Sequence, residues 1–385
     1  MNRQQLLTAW LHSLFPDIPF DLAPASADAS FRRYFRATFS DHRASLIVMD
    51  APPDKENCRP FIHVAQLFGA TGVNVPKVLA QDLEQGFLLL TDLGNTTYLQ
   101  ALYDAPISTA RELYLAATDA LITIQLASHE NELPPYDEAV LLREMRLFPE
   151  WYIAKHIGVT LTEKQSAALE NIFQRIVQNN LAQPRVYVHR DYHSRNLMVT
   201  DHPLLNPLPM PSPQSSPASG RGGEREKQLL IPAGEEANEK GNFLTCPGIL
   251  DFQDALYGPI TYDLASLFKD AYIKWEEAQV LDWLVIYWDK ARQAGLPVHA
   301  DFADFYRDFE WMGVQRHLKV LGIFARLYHR DGKDGYLKDL PLVMDYVRRA
   351  CERYIDLKPL LRLLNELGTP TPLPNPLPQG EREQS

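Results

Sequence analysis

Cysteine is scarce in this chain of 385 residues. Cys58, Cys246 and Cys351 are odd in number and lie far apart, so they provide no disulfide framework. Because the sequence has no Cys-x-x-Cys pair, nothing indicates a structural zinc site. This use of cysteine is typical of a reducing compartment, and we expect the protein to be cytoplasmic.

Long apolar runs and an excess of basic charge are lacking as well. No segment approaches the about 20 apolar residues that a membrane-spanning helix needs, and residues 1–15 contain no continuous apolar block of the signal-peptide kind. The chain carries 49 Asp and Glu against 38 Lys and Arg, a net charge of −11. Since a nucleic-acid partner requires a basic surface, we expect neither a nucleic-acid nor a membrane partner.

What the sequence does contain is a polar segment between two apolar runs. Residues 189–196 read HRDYHSRN, and apolar residues precede and follow them. Asp191 and Asn196 have the spacing of the kinase catalytic loop, H-R-D-x-x-x-x-N. In such loops the Asp accepts the proton of the attacking hydroxyl and the Asn holds Mg²⁺. A lone Asp or Asn is more often a surface cap, but this spacing favours the catalytic interpretation.

A second motif follows at residues 248–254, which read GILDFQD. Apolar residues precede Asp251 and a Phe follows it, as in the D-F-G element whose Asp chelates Mg²⁺. The sequence GPITYD comes next, at 258–263. Both motifs in this order are stronger evidence for a phosphoryl-transfer site than either one alone.

These three segments resemble the aminoglycoside phosphotransferase and choline kinase superfamily, and the resemblance runs from about residue 20 to 350. It implies an α+β, two-lobed protein-kinase-like fold. The N-terminal lobe, with the nucleotide loop, would span residues 1–93. The C-terminal catalytic and substrate lobe, mostly helical, would span 94–368. The resemblance also implies ATP and Mg²⁺ as cofactors and a small-molecule hydroxyl as acceptor; it leaves the oligomeric state open.

The resemblance further implies roles for individual residues. Asp191 would orient and deprotonate the acceptor hydroxyl, and Asn196 and Asp251 would hold Mg²⁺. His193 fits this superfamily at its position and would contact phosphate or the loop. Supporting roles are implied for the loop residues and for a hinge that binds adenine through its backbone. The loop supports are His189 and Asp263, and the hinge residues are Thr91, Asp92 and Leu93.

The N-terminal region departs from the kinase pattern in two ways. The segment at 25–30, where a phosphate loop is expected, has no glycine, so Ser30 and its small neighbours are the candidates for phosphate contact. Met49 stands where kinases carry a strand Lys, and the next predicted helix has no Glu to pair with it. The missing positive charge could come from Arg32, Arg33, Arg36 or Lys55. We favour Arg32 or Arg33, which directly follow the small-residue segment; the alternative is that both are solvated.

Four further stretches resemble a narrower group, the anomeric N-acetylmuramate/N-acetylglucosamine kinases of bacterial cell-wall recycling. They are DASFRRYFR at 28–36, VMDAPP at 48–53, REMRLFPEWY at 143–152 and QRHLKVLGIF at 315–324. Met49 fits this group. The resemblance implies transfer of the ATP γ-phosphate to the C1 hydroxyl of the amino sugar, giving an α-1-phosphate that leads to UDP-sugars.

The third and fourth stretches supply candidates for sugar binding. They are Arg143, Glu150, Trp151, Arg316 and His317, because aromatic and charged side chains suit a sugar acceptor. The alternative is that the first three belong to an ordinary core helix with a solvated face. Lys319 is a further candidate for the carboxylate of N-acetylmuramate.

Two other classes of function stay open. One is a related kinase with an aminoglycoside, choline or homoserine acceptor. The other is a pseudokinase, suggested by the missing strand Lys, although the complete set of Asp191, Asn196 and Asp251 argues against it.

Periodicity predicts strands followed by helices. Strands are predicted at 31–39, 44–49, 74–79 and 87–90, and helices at 3–15, 59–68, 110–125, 141–156, 163–179, 265–271, 276–295, 301–328 and 340–365. Residues 202–246 and 369–385 are rich in Pro, Ser, Gly and Glu and share the sequence NPLP, which predicts a disordered insertion and a disordered tail.

Overall fold

A computed structural model describes residues 2–26, 31–200 and 246–368. Ser30, almost all of the predicted insertion at 202–246 and the predicted tail at 369–385 lie outside these ranges. None of the helices within the ranges is long and apolar enough to cross a membrane.

The N-terminal region forms an antiparallel sheet of five strands in the order β1-β2-β3-β5-β4. The strands are β1 (Phe20–Ser26), β2 (Arg33–Phe39), β3 (Leu46–Asp50), β4 (Val78–Asp82) and β5 (Phe87–Thr91). The sequence pattern does not predict β1, whose Pro24 and small residues are poor strand formers. A proline is tolerated there because β1 lies at the edge of the sheet.

Each face of this sheet contributes to a different hydrophobic core. The helices of this region are α1 (Arg3–Leu14) and α2 (Cys58–Gly69). Successive strand residues point to opposite faces. Val48 and Leu89 therefore join the small core that includes α1, whereas Met49 and Leu88 join the main core that includes α2. The sheet is thus buried on both sides.

The remaining described residues are mostly helical and are organised around one long helix. The helices are α3 (Tyr98–Leu102), α4 (Ile107–Leu126), α5 (Glu138–Met145), α6 (Glu163–Leu181), α7 (Tyr262–Phe268), α8 (Glu277–Gln293), α9 (Phe302–Asp331), α10 (Leu340–Arg353) and α11 (Lys358–Leu367). Helix α9 packs against α5, α6, α7, α8 and α10. Every α9 residue from 308 to 322 is buried, including several charged ones. Such residues require ionic partners, because an unpaired buried charge is costly.

Two of the predicted helices are wrong in extent. The helix predicted at 141–156 divides into α5 and a π-helix, Phe148–Ile157, with Pro149 in its first turn. The helix predicted at 340–365 ends at Arg353, and α11 begins with Pro359 in its first turn. A proline lacks the amide hydrogen and clashes with the preceding turn, so each one starts a new helical segment.

Short strand pairs bring the two sequence motifs together. Strand β6 (Arg185–Val188) pairs with β9 (Leu256–Pro259), and β7 (Leu197–Met198) pairs with β8 (Gly248–Ile249). The first motif occupies the connection from β6 to β7, and Asp251 lies two residues after the end of β8. The residues of both motifs therefore meet at one edge of these pairs.

Helix α9 crosses the segment between α5 and the π-helix at very short range. A Cβ added at Gly322 would lie 2.5 Å from the carbonyl oxygen and from the Cβ of Leu147. Real side chains do not approach so closely, so glycine is required at this crossing. At Gly313, on the same helix, a Cβ would make only ordinary contacts, with the side chain of Lys269 at 3.6 Å and that of His317 at 3.8 Å.

We predict that Gly322→Ala destabilises the protein by about 1–3 kcal/mol, because the added methyl forces the two backbones apart. Gly313→Ala is the matched control and should be neutral or stabilising by up to about 1 kcal/mol, since alanine has the higher helix propensity. Urea unfolding of both variants measures the difference. Equal stability of the two variants would contradict the close crossing.

Candidate active site

The predicted catalytic loop and the predicted metal aspartate lie against each other. The Asn196 Nδ2 donates to the Asp191 carbonyl at 3.0 Å and to the Asp251 Oδ2 at 3.3 Å. The Leu250 amide donates to the Asn196 carbonyl at 2.9 Å, continuing the pairing of β7 with β8. Asp251 has a φ of 64°, and its Oδ1 accepts a hydrogen bond from Gln253. The structure thus brings together the three residues that the two motifs predict.

Asp263 braces the start of the loop. Its carboxylate accepts the amide hydrogens of His189 at 2.7 Å and Arg190 at 3.0 Å. These bonds hold Arg190 at a φ of 78°, which is uncommon for a residue with a side chain. Burial raises the pKa of Asp263 to about 7, against the effect of the two N–H donors.

His189 also has structural contacts. Its Nδ1 accepts the Asp191 amide at 3.2 Å, and its ring is fully buried. Burial lowers the pKa of His189 to about 4, so the ring is neutral. These contacts are those of a structural support for the loop.

Two cations of α9 lie close to Asp191. The Arg316 Nη1 is 3.9 Å from the Asp191 Oδ1 and donates to the Arg190 carbonyl at 2.7 Å. The side chain of Asp191 is 38% exposed, whereas that of Arg316 is only 7% exposed. Burial on its own raises the pKa of Asp191, but Lys319 and Arg316 outweigh it and lower the pKa to about 2. The carboxylate is therefore ionised at neutral pH and is a weak base.

Glu144 of α5 neutralises the cations beneath the loop. It is buried, and its Oε1 lies 3.0 Å from the Lys319 Nζ. It also forms an ion pair with Arg190 and accepts hydrogen bonds from Gln315 and the Tyr136 hydroxyl. Burial opposes ionisation, but Lys319 and Arg190 lower the pKa of Glu144 to about 2. Sequence analysis missed this role. A Glu at a position that the apolar periodicity of the helix predicts to be buried could have indicated a buried ion pair.

The residues predicted to bind the sugar differ in their burial and in their contacts. Arg316 contacts the catalytic loop, as described above. His317 is buried, with its Nε2 2.9 Å from the Lys269 carbonyl and its ring stacked on Tyr346, and burial lowers its pKa to about 3. Arg143 and Glu150 are exposed, and Trp151 is half-buried. The described contacts therefore place Arg316, but not His317, beside Asp191.

Sequence analysis also missed an aromatic cluster on the other side of the loop. The Arg195 guanidinium lies 4.8 Å from the Tyr272 ring centroid and 5.6 Å from that of Tyr336. The His193 ring meets Tyr272 edge-on at 5.5 Å. The two tyrosines come from separate segments, which follow α7 and α9 and which no motif connects to the loop.

Comparison with known proteins fits this geometry. Residues 21–205 and 242–302 match the model of the phosphotransferase enzyme family. A protein of Neisseria meningitidis named N-acetylmuramate/N-acetylglucosamine kinase is 49% identical over 95% of this chain and 96% of its own length. A Pseudomonas aeruginosa protein of the same name is 46% identical over 95% of this chain and 97% of its own.

The chain belongs to the phosphotransferase enzyme family. The predicted membership is thereby confirmed. Solved structures confirm the predicted two-lobed kinase-like fold. The aminoglycoside 2′-phosphotransferase-IIIa in its GDP complex has a TM-score of 0.56 at 14% identity, covering 92% of this chain and 100% of that one. A choline kinase of Streptococcus pneumoniae has a TM-score of 0.55 at 11% identity, covering 90% and 99%.

This phosphotransferase has an arginine–glutamate pair near the position of the missing lysine. Met49 is fully buried in the main core. The Arg32 Nε lies 3.2 Å from the Glu56 Oε2, and Glu56 immediately precedes the cap of α2. Burial works against the charge of Arg32, but Tyr34 and Glu56 raise its pKa above the usual value. Arg33 instead forms an ion pair with the buried carboxylate of Asp50.

The side chain of Asp92 fixes the segment that sequence analysis predicts as the hinge. Its carboxylate accepts hydrogen bonds from Arg36 at 3.0 Å, from the Ser45 hydroxyl at 2.7 Å and from the Gly94 amide at 3.0 Å. Burial would raise the pKa of Asp92, but Arg36 and Ser45 lower it. The backbone at the end of β5 is therefore held in one conformation, as an adenine-binding hinge would require.

We predict that Glu144→Gln lowers stability by about 3–5 kcal/mol, because Lys319 and Arg190 are left buried without their counter-charge. Glu170→Gln is the matched control, since Glu170 pairs with Arg146 at 3.0 Å on the surface, where both are about half exposed. That change should cost below about 1 kcal/mol. Chemical unfolding of both variants tests the contrast, and similar losses would show that Glu144 does not hold the cluster together.

Proposed function

We propose that this phosphotransferase transfers the γ-phosphate of ATP to the C1 hydroxyl of N-acetylmuramate or N-acetylglucosamine. The proposal of phosphoryl transfer rests on one observation, the meeting of Asp191, Asn196 and Asp251 at the ends of paired strands. The choice of amino sugar is supported by the names of the relatives, which match nearly the whole chain.

Asp191 is the proposed catalytic base. It is ionised, partly exposed and backed by Arg316, so it can accept a hydrogen bond from an acceptor hydroxyl and then its proton. A carboxylate with so low a pKa is a weak base. An anomeric hydroxyl is more acidic than an ordinary alcohol, so a weaker base can deprotonate it. The choice of the C1 hydroxyl is thus in keeping with the ionised state of Asp191, and it rests on the resemblance to the amino-sugar kinases.

Asn196 and Asp251 are the proposed ligands of Mg²⁺. Their hard oxygen donors suit this ion, which usually takes one or two carboxylates together with waters and phosphates. The residues that the structure describes contain no cluster of three or more His, Cys, Asp or Glu suited to a metal. A site of the present kind needs no such cluster. When bound, Mg²⁺ neutralises charge on the phosphates, while these two residues fix its position.

The nucleotide is proposed to bind between the sheet and the catalytic loop. Thr91, Asp92 and Leu93 would present backbone groups to adenine, and the two lobes would divide there, into 1–93 and 94–368. Arg32 is favoured over Arg33 as the phosphate-binding cation, because its pair with Glu56, next to α2, resembles the lysine–glutamate pair of kinases, whereas Arg33 pairs with Asp50 of the strand. His193 and Ser30 keep their predicted phosphate contacts as part of this proposal.

The proposed setting is the cytoplasmic recycling of cell-wall sugars. The product would be an α-1-phosphate, the form of a sugar from which UDP-sugars are made. This setting follows from the proposed reaction, since a kinase of this kind needs ATP and a free amino sugar in one compartment.

We predict that Asp191→Asn lowers kcat by about 10²- to 10⁴-fold with nucleotide affinity unchanged, because an amide cannot accept the proton. Asp289→Asn, an exposed change on α8, is the control and should behave as the unmodified protein. Turnover and ATP binding are measured on the same preparations. Retained turnover would remove Asp191 from the proposed mechanism.

The proposed reaction is tested by incubating the protein with Mg·ATP and each sugar and assigning the phosphate position by NMR. We expect phosphate on C1 of both sugars. A 6-phosphate would refute the proposed position. Transfer to an aminoglycoside or choline, with none to either sugar, would refute the proposed acceptor and leave only phosphotransfer.

A further inference from the structure

The catalytic loop has two sides with different chemistry. Asn196 faces Asp251, the proposed metal side. The residue before it, Arg195, extends over the rings of Tyr272 and Tyr336. Asp191 lies between these sides, and its carbonyl accepts the His193 amide at 3.1 Å. If the nucleotide and its metal occupy the first side, the acceptor must approach from the second.

The second side is held rigidly. Buried Asp270 accepts the Ser194 amide at 3.0 Å through one oxygen and the Tyr272 amide at 3.1 Å through the other. This carboxylate thereby ties the first ring to the residue just before Arg195. Phe324 of α9 packs behind both rings, with centroids 6.1 Å from Tyr272 and 5.1 Å from Tyr336. Such a surface is ready for a ligand without rearrangement.

Among the cations near the loop, Arg195 differs from the others in its exposure. Arg190, Arg316 and Lys319 are buried or nearly so, and they already hold Glu144 or the loop backbone. Arg195 is exposed, and its described contacts, with the rings and by side-chain hydrogen bonds, are with Tyr272 and Tyr336. Burial raises the pKa of Asp339 and the positive charge of Arg195 acts to lower it, but no described carboxylate lies within 4.0 Å of the Arg195 guanidinium. Its guanidinium is thus available to an anionic ligand.

The two proposed acceptors differ by one anionic group. N-acetylmuramate carries a lactyl ether at C3 that ends in a carboxylate, and N-acetylglucosamine has a hydroxyl there. A guanidinium recognises a carboxylate through two parallel hydrogen bonds. Aromatic rings beside it suit the apolar face of a sugar ring, in the usual manner of ligand pockets.

We infer that Arg195, held between Tyr272 and Tyr336, binds the lactyl carboxylate of N-acetylmuramate. Arg195 would then be the residue that discriminates between the two sugars. The inference rests on the proposed function, because it assigns a part of that acceptor site. Arg195 thereby becomes the proposed cation for this carboxylate. The earlier candidates are all less than 9% exposed, namely Arg316, His317 and Lys319.

The test compares Arg195→Gln with the unmodified protein on both sugars. We expect KM for N-acetylmuramate to rise about 10- to 100-fold, the range of a charged hydrogen-bonded pair, while kcat/KM for N-acetylglucosamine stays within about twofold. Arg195→Lys, which keeps the charge but not the paired donors, should be intermediate. Arg175→Gln, which breaks a surface pair with Asp356, should change neither sugar.

An uncharged ligand gives a second, independent readout. The methyl ester of N-acetylmuramate should bind the unmodified protein as weakly as the acid binds Arg195→Gln, and the variant should not discriminate between acid and ester. Equal losses for both sugars in Arg195→Gln, or full discrimination between acid and ester in that variant, would overturn the inference while leaving the proposed reaction standing. Failure of the unmodified protein to phosphorylate either sugar would overturn the proposed function, and this inference with it.

Discussion

The catalytic loop depends on the ion pairs that the buried carboxylate of Glu144 forms with Lys319 and Arg190. An isolated charge at this depth would cost several kcal/mol, so its presence requires cations at contact distance. Lys319 comes from α9 and Arg190 from the loop itself. The charge balance therefore fixes the loop against two helices that are distant in sequence. Arg316, one turn of α9 away from Lys319, adds a hydrogen bond to the Arg190 carbonyl.

This arrangement also sets the chemistry of Asp191. Three cations lie beneath or beside the loop, and Glu144 compensates only part of their charge. The remainder acts on Asp191 and keeps it ionised. The same electrostatics that stabilise the buried cluster therefore also determine the charge of the carboxylate that we propose as the base.

The residues of the two motifs could be predicted from the sequence, whereas the residues that pack around them could not. Asp191, Asn196 and Asp251 are found by spacing, because the roles proposed for them require fixed positions along two short segments. Glu144 pairs with Lys319 across 175 positions, and helical periodicity shows only that such residues are buried. Tyr272 and Tyr336 reach Arg195 through the packing of α7, α9 and α10, which no local pattern encodes. The prediction of one helix at 340–365 overlooked Pro359, whose missing amide hydrogen indicates a new segment. A proline does not indicate the hydrogen-bonding register that follows it, so the π-helix after Pro149 could not be predicted.

The missing strand lysine is explained by the same reasoning about burial. Met49 points into the core shared with α2, where its side chain is fully buried, and Asp50 on the opposite face is occupied by Arg3 and Arg33. A phosphate-binding cation on β3 would therefore need a different core. Arg32 precedes β2, and its partner Glu56 lies just before α2. In kinases a strand lysine pairs with a helix glutamate. Here a pair of the same charges lies one strand away, next to the segment proposed for the phosphates. If this pair takes the role of the lysine and glutamate, as we propose, the absence of the lysine is only weak evidence for a pseudokinase.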